Sequence, residues 1–408
     1  MRRSSLALSL LAASCATAAR CDPSPSCSGG TAPPISDAQA SDPCASEPCR
    51  ARSVSAGAEH TCALFEPVSG GPSVVRCFGR NDEGQCDGVP GPDVPRPRAA
   101  PLVNATFVAT GGRHTCALAG DRLCCWGSNE VGALGGIDAL ARVVTTTGRP
   151  FGFVPVALAL GDAHTCARGA SQAACVGDNM FGQLGPSCAA SFCGILEVDG
   201  FAAAGGRFAA GSARSCHASG SSVVCYGSDR PGGSVDRATQ VTFTEGVRGV
   251  SVGATHACAW GDVLRCWGDD SFGQLGDGEP LARSDVPVTI ELERPPTSVS
   301  CGGSLLADLD LARARYSAPP GAHTCAVAAA SVWCWGDNSR GQLGDGTTRS
   351  SASPVRALVE GAVAVSAGSL HTCAVTEDGE LYCWGDGSRG QLGLDGNGMR
   401  ATPTRVEW

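Results

Sequence analysis

Six of the seven histidines of this 408-residue chain, His60, His114, His164, His256, His323 and His371, hold one position in a recurring motif. Each stands two residues before a cysteine, and each such cysteine is followed by a second one. Imidazole and thiol in that pattern could serve as a general base with a nucleophile, or as metal ligands. Repetition argues against a catalyst, because an active site needs one such group and not six. The expected role is scaffold, with a ring nitrogen bonded to a neighbouring backbone group as buried polar atoms require. His217, next to Cys216, is the irregular histidine, and no nucleophile or carboxylate pair accompanies it in the sequence.

The paired cysteines are Cys62 with Cys77, Cys116 with Cys125, Cys166 with Cys175, Cys216 with Cys225, Cys258 with Cys266, Cys325 with Cys334 and Cys373 with Cys383. Zinc ligands come as close Cys-x-x-Cys or His pairs, whereas these fall one per strand about a turn. Cross-strand disulfides are therefore expected, each contributing roughly 2 to 3 kcal/mol through chain entropy. No metal and no cofactor is expected. Cys188 and Cys193 are expected to close a local loop, and Cys86 and Cys124 could join neighbouring blades. Cys301 has no evident partner.

The elements that position these residues are best read from Val363 to Gly393. There a β-like Val-Ala-Val-Ser-Ala-Gly precedes His371-Thr372-Cys373, a turn at Glu377-Asp378-Gly379, then Cys383-Trp384-Gly385 and Gly390-Gln391-Leu392-Gly393. Alternation and turn residues give antiparallel strands. The motif returns seven times at a spacing near fifty residues, counted at Cys62, Cys116, Cys166, Cys216, Cys258, Cys325 and Cys373. The closing tetrad is complete at Gly182, Gly273, Gly341 and Gly390, and partial at Gly84 and Gly132. The fourth repeat keeps only Gly232-Gly233 and carries Arg214 where the others carry histidine.

Over residues 54 to 408 this pattern resembles the regulator of chromosome condensation repeat: a glycine, a His-Thr step, an aromatic-Gly step and a closing Gly-Gln-Leu-Gly. A small sheet cannot bury both faces alone, so such repeats stack radially until a ring closes. The expected fold is all-β, a seven-bladed β-propeller with four-stranded antiparallel blades and intra-blade disulfides. Proline-valine segments, as at Pro155-Val156, Pro287-Val288 and Pro354-Val355, separate repeats, and none precedes Val54. On that ground the C-terminal strand, residues 402 to 408, is expected to close the ring by completing the blade begun by residues 53 to 88.

The chain carries 24 cysteines, which suits an oxidising compartment. Arg2 and Arg3 precede a short apolar run from Leu6 to Ala13, so residues 1–19 read as a signal for export. Leu11 to Cys15 resembles a bacterial lipoprotein box in which Cys15 is lipidated, while Ala16-Thr17-Ala18 resembles an ordinary cleavage site. The protein is expected outside the cytoplasm, either as an outer membrane or periplasmic lipoprotein or secreted. Residues 20–52, rich in Pro, Ser and Ala, read as a linker in which Cys21, Cys27, Cys44 and Cys49 form local loops, with the propeller at 53–408.

The net charge of −9, with all basic residues arginine, disfavours nucleic acid as a partner. A chain without lysine has no phosphate-binding Gly-Lys loop, and no nucleophile elbow occurs. Members of the resembling family exchange nucleotide on a GTPase or cover an enzyme with one rim, so the resemblance implies binding rather than catalysis. The expected partner is another protein, the expected state a monomer, and contact with a membrane only through the lipid anchor. The Gly-x-x-His connections and tetrad loops should share one rim. Binding is assigned to irregular loops there: Leu305, Leu306, Leu309, Leu311 and Tyr316 in a long insertion, Phe192, and Phe181 and Phe272 beside the tetrads. The alternative is a hydrolase or lyase acting on envelope polysaccharide.

Overall fold

The computed structural model describes residues 42–135, 143–147, 151–185, 192–197, 207–228, 239–279, 283–305 and 321–408. They form seven four-stranded antiparallel sheets, each built from one contiguous stretch of chain. The first blade runs Cys49–Ala56, His60–Pro67, Val74–Gly79 and Val94–Val103 from inside to outside. The seventh runs Ala362–Ala367, His371–Thr376, Leu381–Gly385 and Arg400–Arg405. Among the described residues no helix is long and apolar enough to cross a membrane.

Residue size sorts the strands. Inner strands carry small residues such as Ser55-Ala56 and Ser366-Ala367 and line a central channel. Second and third strands, such as His371–Thr376 and Val74–Gly79, are buried along their whole length. Outer strands have one partner only, which is why Val94–Val103 tolerates Pro95, Pro97 and Pro101.

The ring is closed at its axis by glycine. A Cβ built on Gly57, Gly111, Gly161, Gly211, Gly253, Gly302 or Gly368 would lie within 2.6 Å of the next glycine's carbonyl oxygen. The sequence of contacts ends with Gly368 against Gly57, so the inner strands pack backbone to backbone round the whole circle.

Closure by strand exchange does not occur. Arg400–Arg405 pairs with Leu381–Gly385 in its own blade, and the first blade supplies its own outer strand, Val94–Val103. Pro287-Val288 and Pro354-Val355 lie in the outer strands of the fifth and sixth blades, while Pro155-Val156 leads into the third blade's inner strand, its Val156 amide donating to the Arg168 carbonyl. The last segment, at Pro403, completes the seventh blade. The C-terminus still reaches across: the Trp408 ring lies 4.7 Å from that of Phe65, and Val406 packs in one core with Phe65 and Phe78.

All seven cysteine pairs are disulfides joining directly opposed residues of the second and third strands. Their Cα atoms are 4.0–4.1 Å apart, the close spacing of non-hydrogen-bonded cross-strand pairs. The core lies between blades: Cys62 and Cys77 pack on Ala117 and Trp126 of the second blade, and Cys325 and Cys334 on Trp384 of the seventh. Each disulfide thus faces one neighbour while the aromatic beside it faces the other.

Residues 42–52, linker by composition, belong to the first blade. Asp42 and Arg76 form a buried ion pair at 2.7 Å, Cys44 is bonded to Cys49, and the Ala51 amide donates to the Gly379 carbonyl of the seventh blade at 2.8 Å. A buried charge held by its counter-ion fixes this segment where its composition signals none. The expected link between Cys86 and Cys124 is absent: Cys124 is disulfide-bonded, whereas Cys86 is a free buried thiol, as is Cys301. Cys86 stands at a tetrad leucine position and fills it as a small apolar group. Cys15, Cys21, Cys27 and Cys188 lie outside the described residues, and Cys193 is described by its backbone only.

Candidate functional site

Each repeat histidine reaches forward to the next blade. His60 Nε2 is 2.9 Å from Thr115 Oγ1, His114 Nε2 2.9 Å from Thr165 Oγ1, and His164 Nε2 2.8 Å from Ser215 Oγ. His256, His323 and His371 meet Thr324, Thr372 and Thr61 in the same way, the last across the junction of the chain's two ends. The partner of Nε2 is therefore a side-chain hydroxyl of the adjoining sheet, and the backbone partner expected from sequence is found at His323, whose Nδ1 meets the Gly321 carbonyl.

The hydroxyls of Thr61, Thr115, Thr324 and Thr372 donate to the carbonyls of Gln391, Gln85, Gln274 and Gln342 in the preceding tetrads. With the hydroxyl proton so committed, the oxygen accepts from Nε2–H of His60, His256 and His371, which fixes these rings as neutral tautomers. Burial lowers the pKa of His60, His114, His256 and His371 to about 3 and of His164 to about 4. His323 is also lowered by burial and is held at both nitrogens, Nδ1 by the Gly321 carbonyl at 2.6 Å. His60, His114, His164, His256 and His371 are therefore uncharged near neutrality and act as structural couplers between blades.

The relay fails once. The fourth repeat offers Arg214 in place of histidine, and at the next boundary Thr255 Oγ1 and Trp267 Nε1 have no hydrogen-bond partner. Trp126, Trp335 and Trp384 donate at that position to the backbone carbonyls of Gln85, Gln274 and Gln342.

The tetrad loops and the Gly-x-x-His connections share one rim, as a meander of four strands requires. Each loop is locked by its own polar residues. Leu184, Leu275 and Leu343 amides donate to Asn179, Asp270 and Asn338 at 2.8–3.0 Å, and Gln274 and Gln391 amides donate to Asp269 and Asp386. Asp337 and Asp345 likewise accept from their own loops. Loops so braced present their tips rigidly. The tip residue before the tetrad glycine is Val131, Phe181 and Phe272 in the second, third and fifth blades, but Glu83, Arg340 and Arg389 in the first, sixth and seventh. Met180 beside Phe181 is 62% exposed.

Phe181 and Phe272 are thus on this rim, both partly buried. Leu305 is there too, at the mouth of the channel: its amide donates to Asp162 Oδ2 at 3.0 Å and to Ser212 Oγ at 3.1 Å, and Ser304 Oγ donates to the same carboxylate at 2.9 Å. The base of the insertion is therefore tied from the sixth blade across to the third and fourth. Leu306, Leu309, Leu311 and Tyr316 lie outside the described residues, and Phe192 is described by its backbone, at the start of the third blade's outer strand. Asp162 and Ser212 had no motif to mark them, since their use depends on ring closure.

These features define a class: a closed propeller whose blades are coupled by a histidine-to-threonine relay and whose variation is gathered in braced rim loops. Comparison with known proteins names it further. The model described as "Regulator of chromosome condensation (RCC1) repeat" matches residues 264–307, 330–375 and 378–408, and a second model of the same description matches 362–391. Residues 264–307, 330–375 and 378–408 thus carry repeats of this family.

It is 32% identical over 131 residues to the "Regulator of chromosome condensation" of Xenopus laevis, covering 31% of this chain and 26% of that protein. It is 32% identical over 153 residues to the "Ultraviolet-B receptor UVR8" of Arabidopsis thaliana, covering 35% and 31%. The matched segments thus span about a quarter to a third of those relatives. Among solved structures, Prp20p of Saccharomyces cerevisiae, described with its binding to Gsp1p and histones, superposes with a TM-score of 0.65 at 19% identity over 89% of this chain and 86% of that one. Yeast RCC1 (Prp20) solved with Kap60 gives 0.64 at 20% identity over 88% and 84%. At such identity the likeness is one of fold.

Proposed function

We propose that this chain is an exported scaffold that binds another protein through the tetrad rim, over the second to fifth blades. One observation carries the reading: the rim tips turn from charged to apolar across Val131, Phe181 and Phe272, next to the exposed Met180 and the tethered base of the insertion at Leu305. Apolar tips on braced loops expose surface at little ordering cost, which favours recognition. Relatives of the same repeat are described with protein partners, Gsp1p and histones for the yeast protein. The seven intra-blade disulfides support an oxidising location. A polysaccharide hydrolase would need a carboxylate pair in a cleft, and the acidic loop residues named above are spent on their own turns.

The test is capture with the whole chain from envelope and culture fluid, against Met180→Asp and Phe272→Asp and a chain with 306–320 excised. A partner retained by the parent and lost from the variants, with melting unchanged, supports the reading. Equal capture by all forms, or turnover of a glycan, overturns it.

A further inference from the structure

The opposite rim carries a different departure from the repeat. Four residues after the motif histidine the chain buries Leu64, Leu118, Val327 and Val375, each no more than 5% exposed. The third blade has Arg168 at this position and the fifth has Trp260. Arg168 is partly buried and among the described residues forms no ion pair and has Nε buried without a hydrogen-bond partner, while Nη1 donates to the Gly169 carbonyl at 3.2 Å. A guanidinium set at an apolar position and left short of acceptors costs stability, and such local violations gather where function needs them.

The ring brings Arg168 beside Arg207, which opens the fourth blade's inner strand, and Arg248, which precedes the fifth's. All three line one cavity of about 610 Å³ with Phe208, Trp260 and Pro296. Arg207 Nε donates to the Arg248 carbonyl at 2.9 Å, which steadies its stem, and it forms no ion pair among the described residues. Arg248 pairs with Asp262, both well exposed. Trp260 lies flat against Gly249, where any Cβ would strike its ring. The cavity thus holds two uncompensated guanidinium groups over an aromatic floor, in a chain of net charge −9.

We propose that this cavity binds a small organic anion bearing two or more carboxylate or phosphate groups, its carbon skeleton against Trp260 and Phe208. Guanidinium forks match such oxyanions two oxygens at a time. The volume is that of a small-molecule site, and the negative charge of the whole protein works against long polyanions.

Calorimetric titration of the whole chain at low ionic strength tests this, with citrate and pyrophosphate as separate probes and acetate as the monoanion. One of the first two should bind saturably at one site, at least about tenfold tighter than acetate, and the stronger of them tells carboxylate from phosphate. Arg168→Leu restores the apolar residue of the other repeats, so it should melt no lower than the parent yet weaken binding about tenfold or more. The exposed Arg207→Ala should weaken it likewise without disturbing the fold, and Arg356→Ala on the sixth blade should change nothing. Absence of saturable binding by either anion, or binding that survives both Arg168→Leu and Arg207→Ala, overturns the proposal. The tetrad-rim reading is untouched by either result.

Discussion

A threonine hydroxyl at a blade boundary stabilises only as far as its neighbours use it. Thr324 accepts from His256 and donates to the Gln274 carbonyl, so Thr324→Val leaves the buried His256 N–H without a partner, while the carbonyl keeps the Trp335 indole. The expected cost is about 1 to 3 kcal/mol. Thr255 has no partner to lose, and Thr255→Val is expected to be neutral or stabilising. Denaturant midpoints of the two variants check the contrast, and equal losses would remove the relay as its cause. Free thiols follow the same logic of burial. Cys301 is pushed up to about 12 and Cys86 is raised by desolvation, so neither should alkylate in the native protein at neutral pH, and both should do so once it unfolds, read by peptide mapping. The histidine position was legible in the sequence because it recurs. Its partner was not, since Thr115 lies 55 residues beyond His60 and is brought near only by blade stacking. Arg168 left a fainter sign, a charge at a position that is apolar in the other six repeats.

At the scale of the blade, the second and third strands were legible in full, because one cysteine per strand about a turn fixes their register as Cys373 opposite Cys383. The outer strand was misassigned, and the reason is proline. Val94–Val103 carries three prolines, reads as a loop by propensity, and is a strand only because its outward edge needs no donors. Assigning it to the first blade changes what the C-terminus does. Removal of residues 400–408 should strip the seventh blade of its outer strand and Phe65 of its Trp408 neighbour, lowering Tm sharply. Trp408→Ala tests the ring contact alone and should cost about 1 to 3 kcal/mol, less than a fully buried Trp because its ring is partly exposed. A truncated chain that melts with the parent would show the seventh blade standing without its edge.

Across the whole ring, six buried histidines make stability depend on pH. His60, His114, His164, His256 and His371 sit at about 3 to 4 when folded and near 6.5 when unfolded, so the unfolded chain binds more protons between those limits. Their contribution is complete above about pH 6.5 and is lost as pH falls toward 4, at up to about 1.4 kcal/mol per pH unit for each. A denaturant midpoint that holds steady between about pH 7 and pH 5 would show these rings already protonated in the native state. The same relay determines where the ring gives way. In a closed circle the break in the chain, between the seventh blade and the first, is the obvious weak boundary. It is nevertheless fully coupled, with His371 on Thr61, Thr61 on the Gln391 carbonyl and Gly368 against Gly57. At the boundary between the fourth and fifth blades Arg214 replaces the histidine, and Thr255 Oγ1 and Trp267 Nε1 have no hydrogen-bond partner among the described residues, although the chain is continuous there. Local opening follows the weakest set of contacts rather than chain connectivity. Native-state hydrogen exchange should therefore release the strands Arg214–Ser219 and Gly249–Val252 before His60–Pro67 and His371–Thr376. If the first and seventh blades exchange earliest instead, the relay does not govern how the wheel opens.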